Sequence, residues 1–189
     1  MALQVSALLA LVVVCSSPTC SLACDLPLSH GKWEIFTLLA QMERISILSC
    51  LKDRTYFGFP QILVGGHQVD RTQATAAIHE TLQQIFILFS TRGSSVARNE
   101  TLLEKFLQEL HQRLDGLETC LGKEKEVEPS PPGSENPRLA VKSYFQRISL
   151  YLKEKKYSRC AWEIVRVEVR RCLLIINNLS GKLRKSGRH

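Results

Sequence analysis

The chain is 189 residues long, with 25 Lys and Arg against 18 Asp and Glu and a formal net charge of +7. That length suits one domain with its own core. The basic balance fits an anionic receptor or a sulfated polysaccharide and equally fits simple solubility; a nucleic-acid role is set aside, because aromatics are not interleaved with the basic residues and the chain opens on an export pattern.

Residues 1–23 hold no Lys, Arg, Asp or Glu. Leu8–Val14 is an apolar run, and Ser21-Leu22-Ala23 closes the stretch with small residues at −3 and −1. The pattern predicts a signal peptide cut after Ala23. The run is too short for a membrane anchor, which needs about 20 residues, and no later stretch is apolar enough to span. Residues 24–189 are therefore expected as one exported domain without membrane insertion.

Five cysteines follow the predicted cut: Cys24, Cys50, Cys120, Cys160 and Cys172. None forms a C-x-x-C pair, so neither zinc nor another metal is indicated, and no cofactor motif is present. Behind an export signal, such spacing reads as disulfides between distant segments. Two bridges and one free thiol can be drawn in several ways, and spacing does not choose among them.

The first helical pattern covers about Trp33 to Leu48, with Ile35, Leu39 and Met42 on one face. Ser49 to Val69 holds Gly58, Pro60, Gly65 and Gly66 and reads as a long first loop, of the kind that is functional or pinned. A second helix is expected over Thr72–Phe89, facing inward with Ala74, Ile78, Leu82, Ile85 and Phe89. The third carries the clearest period, Leu103, Phe106, Leu107, Leu110, Leu114, Leu117 and Leu121, with Thr101 and Glu104 as a capping box and Gly122 as its stop.

Residues 122–138, with Pro129, Pro131, Pro132 and Pro137, read as an exposed linker. A fourth helix after Pro137 uses Val141, Phe145, Ile148 and Leu152. The last, about Arg159 to Asn177, turns Trp162, Val165, Val169, Cys172 and Ile176 inward, with Gly181 as the stop and 182–189 as a mobile basic tail. No period-2 pattern competes. Five helices with one long connection in each half allow an up-up-down-down bundle.

At this point the residues resemble a known family. LLAQMERISILSCLKDRTYFGFPQ (38–61), QQIFILFST (83–91), ETLLEKF (100–106) and VKSYFQRISLYLKEKKYSRCAWEIVRVEVRR (141–171), with CDLP at 24–27, closely resemble type I interferons of the alpha, omega and delta group. The resemblance spans essentially residues 24–175. It implies an all-α, disulfide-stapled helical cytokine bundle acting outside the cell as a monomer. It also implies the pairings Cys24–Cys120 and Cys50–Cys160.

Cys172 is then the odd thiol. Its place on the inner face of the last helix favours a buried, inert group; the alternative is an exposed thiol that makes covalent dimers.

The family brings together two receptor chains and has no active site, so antiviral and antiproliferative signalling through Janus kinases and STAT proteins is what the resemblance implies. For the high-affinity chain it points to Leu51 and Arg54 in the first loop, with Arg166, Val167, Arg170 and Arg171 in the last helix. Arg166 and Arg170, four residues apart, are read as a basic ridge opposite Val165 and Val169. For the second chain it points to Phe86, Arg92, Leu102 and Lys142. Leu107 and His111 replace family tyrosines, and Lys142 stands where Arg is common.

Asn99-Glu100-Thr101 and Asn178-Leu179-Ser180 are N-glycosylation sequons, neither expected to be needed for receptor contact. The tail KLRKSGR (182–188) is a candidate for heparan sulfate binding, against the plainer reading of a solvated end. No Gly-rich phosphate loop, G-x-S-x-G or ligand-spaced His pair is present, so no catalysis is expected.

Overall fold

The structure is a computed structural model; it describes residues 34–42, 45–64, 71–91, 100–124 and 136–186, apart from the side chains at 120, 122–124 and 184–186. The predicted signal peptide, Cys24, Arg92, Asn99, residues 125–135 of the expected linker and the last three residues lie outside these. Among the described residues the order is α1 (Glu34–Gln41), a 3₁₀ segment η1 (Ile47–Asp53), a second 3₁₀ segment η2 (Gln61–Leu63), α2 (Arg71–Ser90), α3 (Glu100–Glu124), α4 (Pro137–Glu154) and α5 (Arg159–Ser186). They contain no strand.

The apolar periods of the sequence become the core. Ile35, Leu39 and Met42 of α1, and Ala74, Ile78, Leu82, Ile85 and Phe89 of α2, are buried. So are Leu103, Phe106, Leu110, Leu114 and Leu117 of α3, while Leu107 packs half-buried beside them. Val141, Phe145, Ile148 and Leu152 of α4 join Trp162, Val165, Val169, Cys172 and Ile176 of α5 in the same core. Full burial of each large side chain contributes about 1.5–3 kcal/mol against leaving it in water.

Pairs of contacts fix the helix directions. His79 and Phe89 of α2 meet Glu118 and Phe106 of α3, so these two run antiparallel. Phe89 also meets Trp162, while Leu82 shares a small cavity with Leu173 and Ile176, so α5 opposes α2. The same cavity holds Ile35 and Phe36, and Arg166 reaches the Leu39 carbonyl, so α5 opposes α1 as well. Helices α1, α2, α3 and α5 thus form the up-up-down-down bundle. Helix α4 lies outside it, parallel to α2, with which it shares the Arg138–Glu80 pair, and antiparallel to α5, which Tyr144 meets at Glu168 and Cys172.

Several boundaries move. Helix α1 stops at Gln41 rather than near Leu48; farther on, Ser46 is extended and its side chain caps η1 by accepting from the Leu48 amide at 3.3 Å. Helix α3 starts at Glu100, which puts Thr101 inside the first turn rather than at a cap, and it runs through Gly122 to Glu124. Pro137 is the first residue of α4, where its missing N–H costs nothing, and Asn136 caps the Arg138 amide. Helix α5 continues through Gly181 to Ser186, five residues into the segment expected as a tail. A helical glycine costs about 1 kcal/mol, and the buried Leu183 just beyond it offsets that.

Candidate functional site

The long first loop is fastened to α4 and α5 along its described length. A disulfide joins Cys50, in η1, to Cys160, in the first turn of α5, with Cα atoms 5.1 Å apart. Three residues on, Asp53 pairs with Lys155 at 2.8 Å, and its carbonyl accepts from the Tyr151 hydroxyl at 2.8 Å. Burial and the nearby Asp53 carboxylate push that tyrosine up to about 12.

Arg147 of α4 donates to the Phe57 carbonyl at 2.8 Å and to the Gly58 carbonyl at 2.9 Å. Gly58 itself has φ +66°, the left-handed region that favours glycine. Phe57 packs edge-on against Tyr151, and Phe59 edge-on against Tyr144. Leu51, at 55% exposure, and the exposed Arg54 are therefore displayed by a segment held on covalent, ionic and aromatic contacts.

On α5, Val167, Arg170 and Arg171 are exposed. The Arg171 guanidinium lies 5.7 Å from the centre of the Phe59 ring and donates to Glu168 at 3.1 Å. Glu168 also accepts from the Tyr144 hydroxyl at 2.6 Å. One chain of contacts, Tyr144–Glu168–Arg171–Phe59, so aims a basic group of the last helix toward the loop.

Arg166 departs from the expected ridge. It is 8% exposed, donates to Glu163 at 2.7 Å and lies 3.5 Å from the Leu39 carbonyl of α1. Successive helix residues are about 100° apart, so Arg166 cannot stand opposite Val165; it falls on the flank that α1 covers.

The second group of positions is spread over three helices. Phe86 of α2 is half-buried with its ring against His111 of α3, 6.4 Å between centroids. Leu102 is half-buried nine residues earlier on α3, roughly 13 Å along the axis. Lys142 is exposed on α4, with its amine 3.9 Å from Glu80. Glu80 is buried on α2 and also receives Arg138 at 3.3 Å and Gln84 at 2.9 Å. These positions lie one on each of α2, α3 and α4, with Arg92 outside the described residues.

Among the sequons, Asn178 is exposed on α5. Cys172 is buried, with its sulfur 3.2 Å from the Tyr144 hydroxyl. Burial and, after it, the Glu168 carboxylate push the thiol up to about 12, against the lowering effect of the Tyr144 hydrogen bond.

Sequence reasoning passed over Tyr144, Arg147 and Tyr151, which recur at i, i+3 and i+7 on α4 beside its apolar face. Two buried tyrosine hydroxyls and a guanidinium at that spacing need partners, and the loop carbonyls and Glu168 supply them. Glu80 and Glu168 carry no comparable signal, because an acidic residue on a helix reads as solvated until its neighbours are placed.

The five α-helices among the described residues, bundled behind a stapled first loop and none of them long and apolar enough to cross a membrane, have the architecture of a helical cytokine. A family model described as interferon alpha/beta domain matches residues 25–183. Interferon alpha-2 of Equus caballus is 55% identical over 181 residues, covering 95% of this chain and 98% of that one. Interferon alpha-4 of Homo sapiens is 52% identical over 187 residues, covering 98% and 99%, and interferon omega-1 of Equus caballus 53% over 185, covering 97% and 95%. Among solved structures, zebrafish interferon 2 superposes with a TM-score of 0.63 over 76% of this chain and 92% of that one, at 24% identity, a likeness of fold. The chain belongs to the interferon alpha/beta family; it is a cytokine and not an enzyme.

Proposed function

We propose that this chain is a secreted type I interferon that joins the two chains of the interferon alpha/beta receptor, activating Janus kinase–STAT signalling and an antiviral, antiproliferative response. The observation that carries the reading is the Cys50–Cys160 staple. It places exposed Leu51 and Arg54 next to the helix that displays Val167, Arg170 and Arg171. An exposed leucine supplies apolar burial, and a nearby guanidinium supplies forked, charge-assisted hydrogen bonds, the pairing found at binding hot spots.

This surface is assigned to the high-affinity receptor chain. Arg166 supports it from within. Phe86, Leu102 and Lys142, with Arg92, are assigned to the second chain. The half-buried Phe86 and the Glu80-paired Lys142 make that contact one of broad complementarity, which suits the weaker of two receptor interactions.

The test is Arg54→Ala, read by binding to the isolated high-affinity ectodomain and by an interferon-responsive reporter. Truncating a hot spot costs at least about 2 kcal/mol, so binding should fall by roughly thirtyfold and the reporter should need correspondingly more protein. Unchanged binding and unchanged reporter activity would overturn the assignment.

A further inference from the structure

Helix α5 continues the receptor-assigned surface with two residues that the receptor reading does not use, Leu174 and Asn178. Val167, Arg171, Leu174 and Asn178 recur at i, i+4, i+7 and i+11, so they share one helical stripe. All four are exposed, Val167 at 41% and Leu174 at 44%. At 1.5 Å per residue, Asn178 stands roughly 6 Å beyond Leu174 and about 10 Å beyond Arg171. Asn178 is also the acceptor of the sequon Asn178-Leu179-Ser180.

We propose that Asn178 carries an N-linked glycan which stands on the receptor-facing stripe of α5 and restricts approach of the high-affinity receptor chain, so that occupancy of this one sequon sets receptor affinity. The inference rests on the assignment of that stripe to the receptor. A branched polar glycan is bulky and stays in solvent. Its root shares a face with Val167 and Arg171, so a receptor reaching those residues must displace or order it, at an entropic cost to binding.

The state of Ser180 sets when the glycan is added. In the folded helix Ser180 is buried, and its hydroxyl donates to the Asn177 carbonyl at 2.8 Å. A transferase that reads this hydroxyl must therefore act before α5 packs. In the transfer, the Asn178 amide nitrogen bonds to the anomeric carbon of a lipid-linked oligosaccharide. The bond from that carbon to the lipid diphosphate breaks, the diphosphate leaves with the electron pair, and the amide proton passes to a base of the transferase. Because folding competes with transfer, secreted material contains both occupied and unoccupied forms.

The full chain, made in mammalian secretory cells with Asn99→Gln, retains Asn178 in its only remaining sequon. Native enzymatic deglycosylation in ¹⁸O water followed by peptide mass spectrometry reads occupancy at Asn178. The separated occupied and unoccupied forms, the deglycosylated form and Asn178→Gln are then titrated on the same immobilised high-affinity receptor ectodomain used for Arg54→Ala, beside that variant. The expected result is an isotope label at Asn178 in part of the material, with every form lacking the glycan binding about three- to tenfold tighter than the occupied one. No label at Asn178 overturns the inference. Equal affinity with and without the glycan, while Arg54→Ala has lost binding, also overturns it and leaves the docking surface standing. Full binding by Arg54→Ala removes the docking surface and the inference together.

Discussion

Two side chains of α5 show how position on one helix separates stability from recognition. Arg166 faces α1 and neutralises Glu163, which is itself buried, whereas Arg170 is exposed four residues later. Removing one partner of a buried pair leaves the other charge stranded, at about 3–5 kcal/mol. Arg166→Ala is expected to lower the thermal midpoint by roughly 6–15 °C, while Arg170→Ala leaves it within a degree or two and acts on receptor affinity alone. Differential scanning calorimetry beside ectodomain binding checks both.

Cys172 makes a second residue-level case. Its folded pKa of about 12 lies above the ordinary 9.0, because burial opposes the thiolate. The folded state therefore holds the proton more tightly than the unfolded chain. The resulting stability is fully present below about pH 9 and is lost as pH rises from there through about 12. Tyr144, raised by burial and by Cys172, acts in the same direction. Urea titrations between pH 8 and 10.5 should show stability falling, less steeply for Cys172→Ala than for wild type. At pH 8 the folded protein should resist iodoacetamide at Cys172, and the unfolded chain should not.

At the scale of elements, the first loop is better described as three successive anchors than as a connection. The disulfide holds η1, Lys155 and Tyr151 hold Asp53, and Arg147 with the two edge-on aromatic pairs holds Phe57 to Phe59. The staple closes a sequence separation of 110 residues, for which the chain-entropy view gives about 4–5 kcal/mol. The double variant Cys50→Ser, Cys160→Ser should therefore melt roughly 10–20 °C lower. It should also lose high-affinity ectodomain binding even at temperatures where it remains folded, because Leu51 and Arg54 are no longer held to α5. A variant that melts lower but binds as wild type would show that the ionic and aromatic anchors suffice.

For the whole molecule, the helices were readable wherever an apolar period ran uninterrupted, as in α2 and α3, and Pro137 marked a start because only the first turn tolerates it. Glycine was the weak guide: Gly122 and Gly181 are passed by helices whose packing outweighs a local propensity of about 1 kcal/mol. The site was half readable. Family likeness pointed to Leu51, Arg54, Arg166, Val167, Arg170 and Arg171, and of these all but Arg166 are exposed. The inward turn of Arg166 and the supporting roles of Tyr144, Arg147, Glu80 and Glu168 depend on which helices become neighbours, and no single segment encodes that. Nor does periodicity reveal that α4 stands outside the four-helix core while bracing the loop.

The placement of the Cys50–Cys160 bridge bears on how the molecule is made. Helices α2, α3 and α4 all lie inside the covalent ring, and the partner that shuts it arrives only with the first turn of α5. A polypeptide truncated before position 160 would contain the whole first loop yet lack the thiol that fastens it. Closure of this ring thus marks that synthesis has passed position 160.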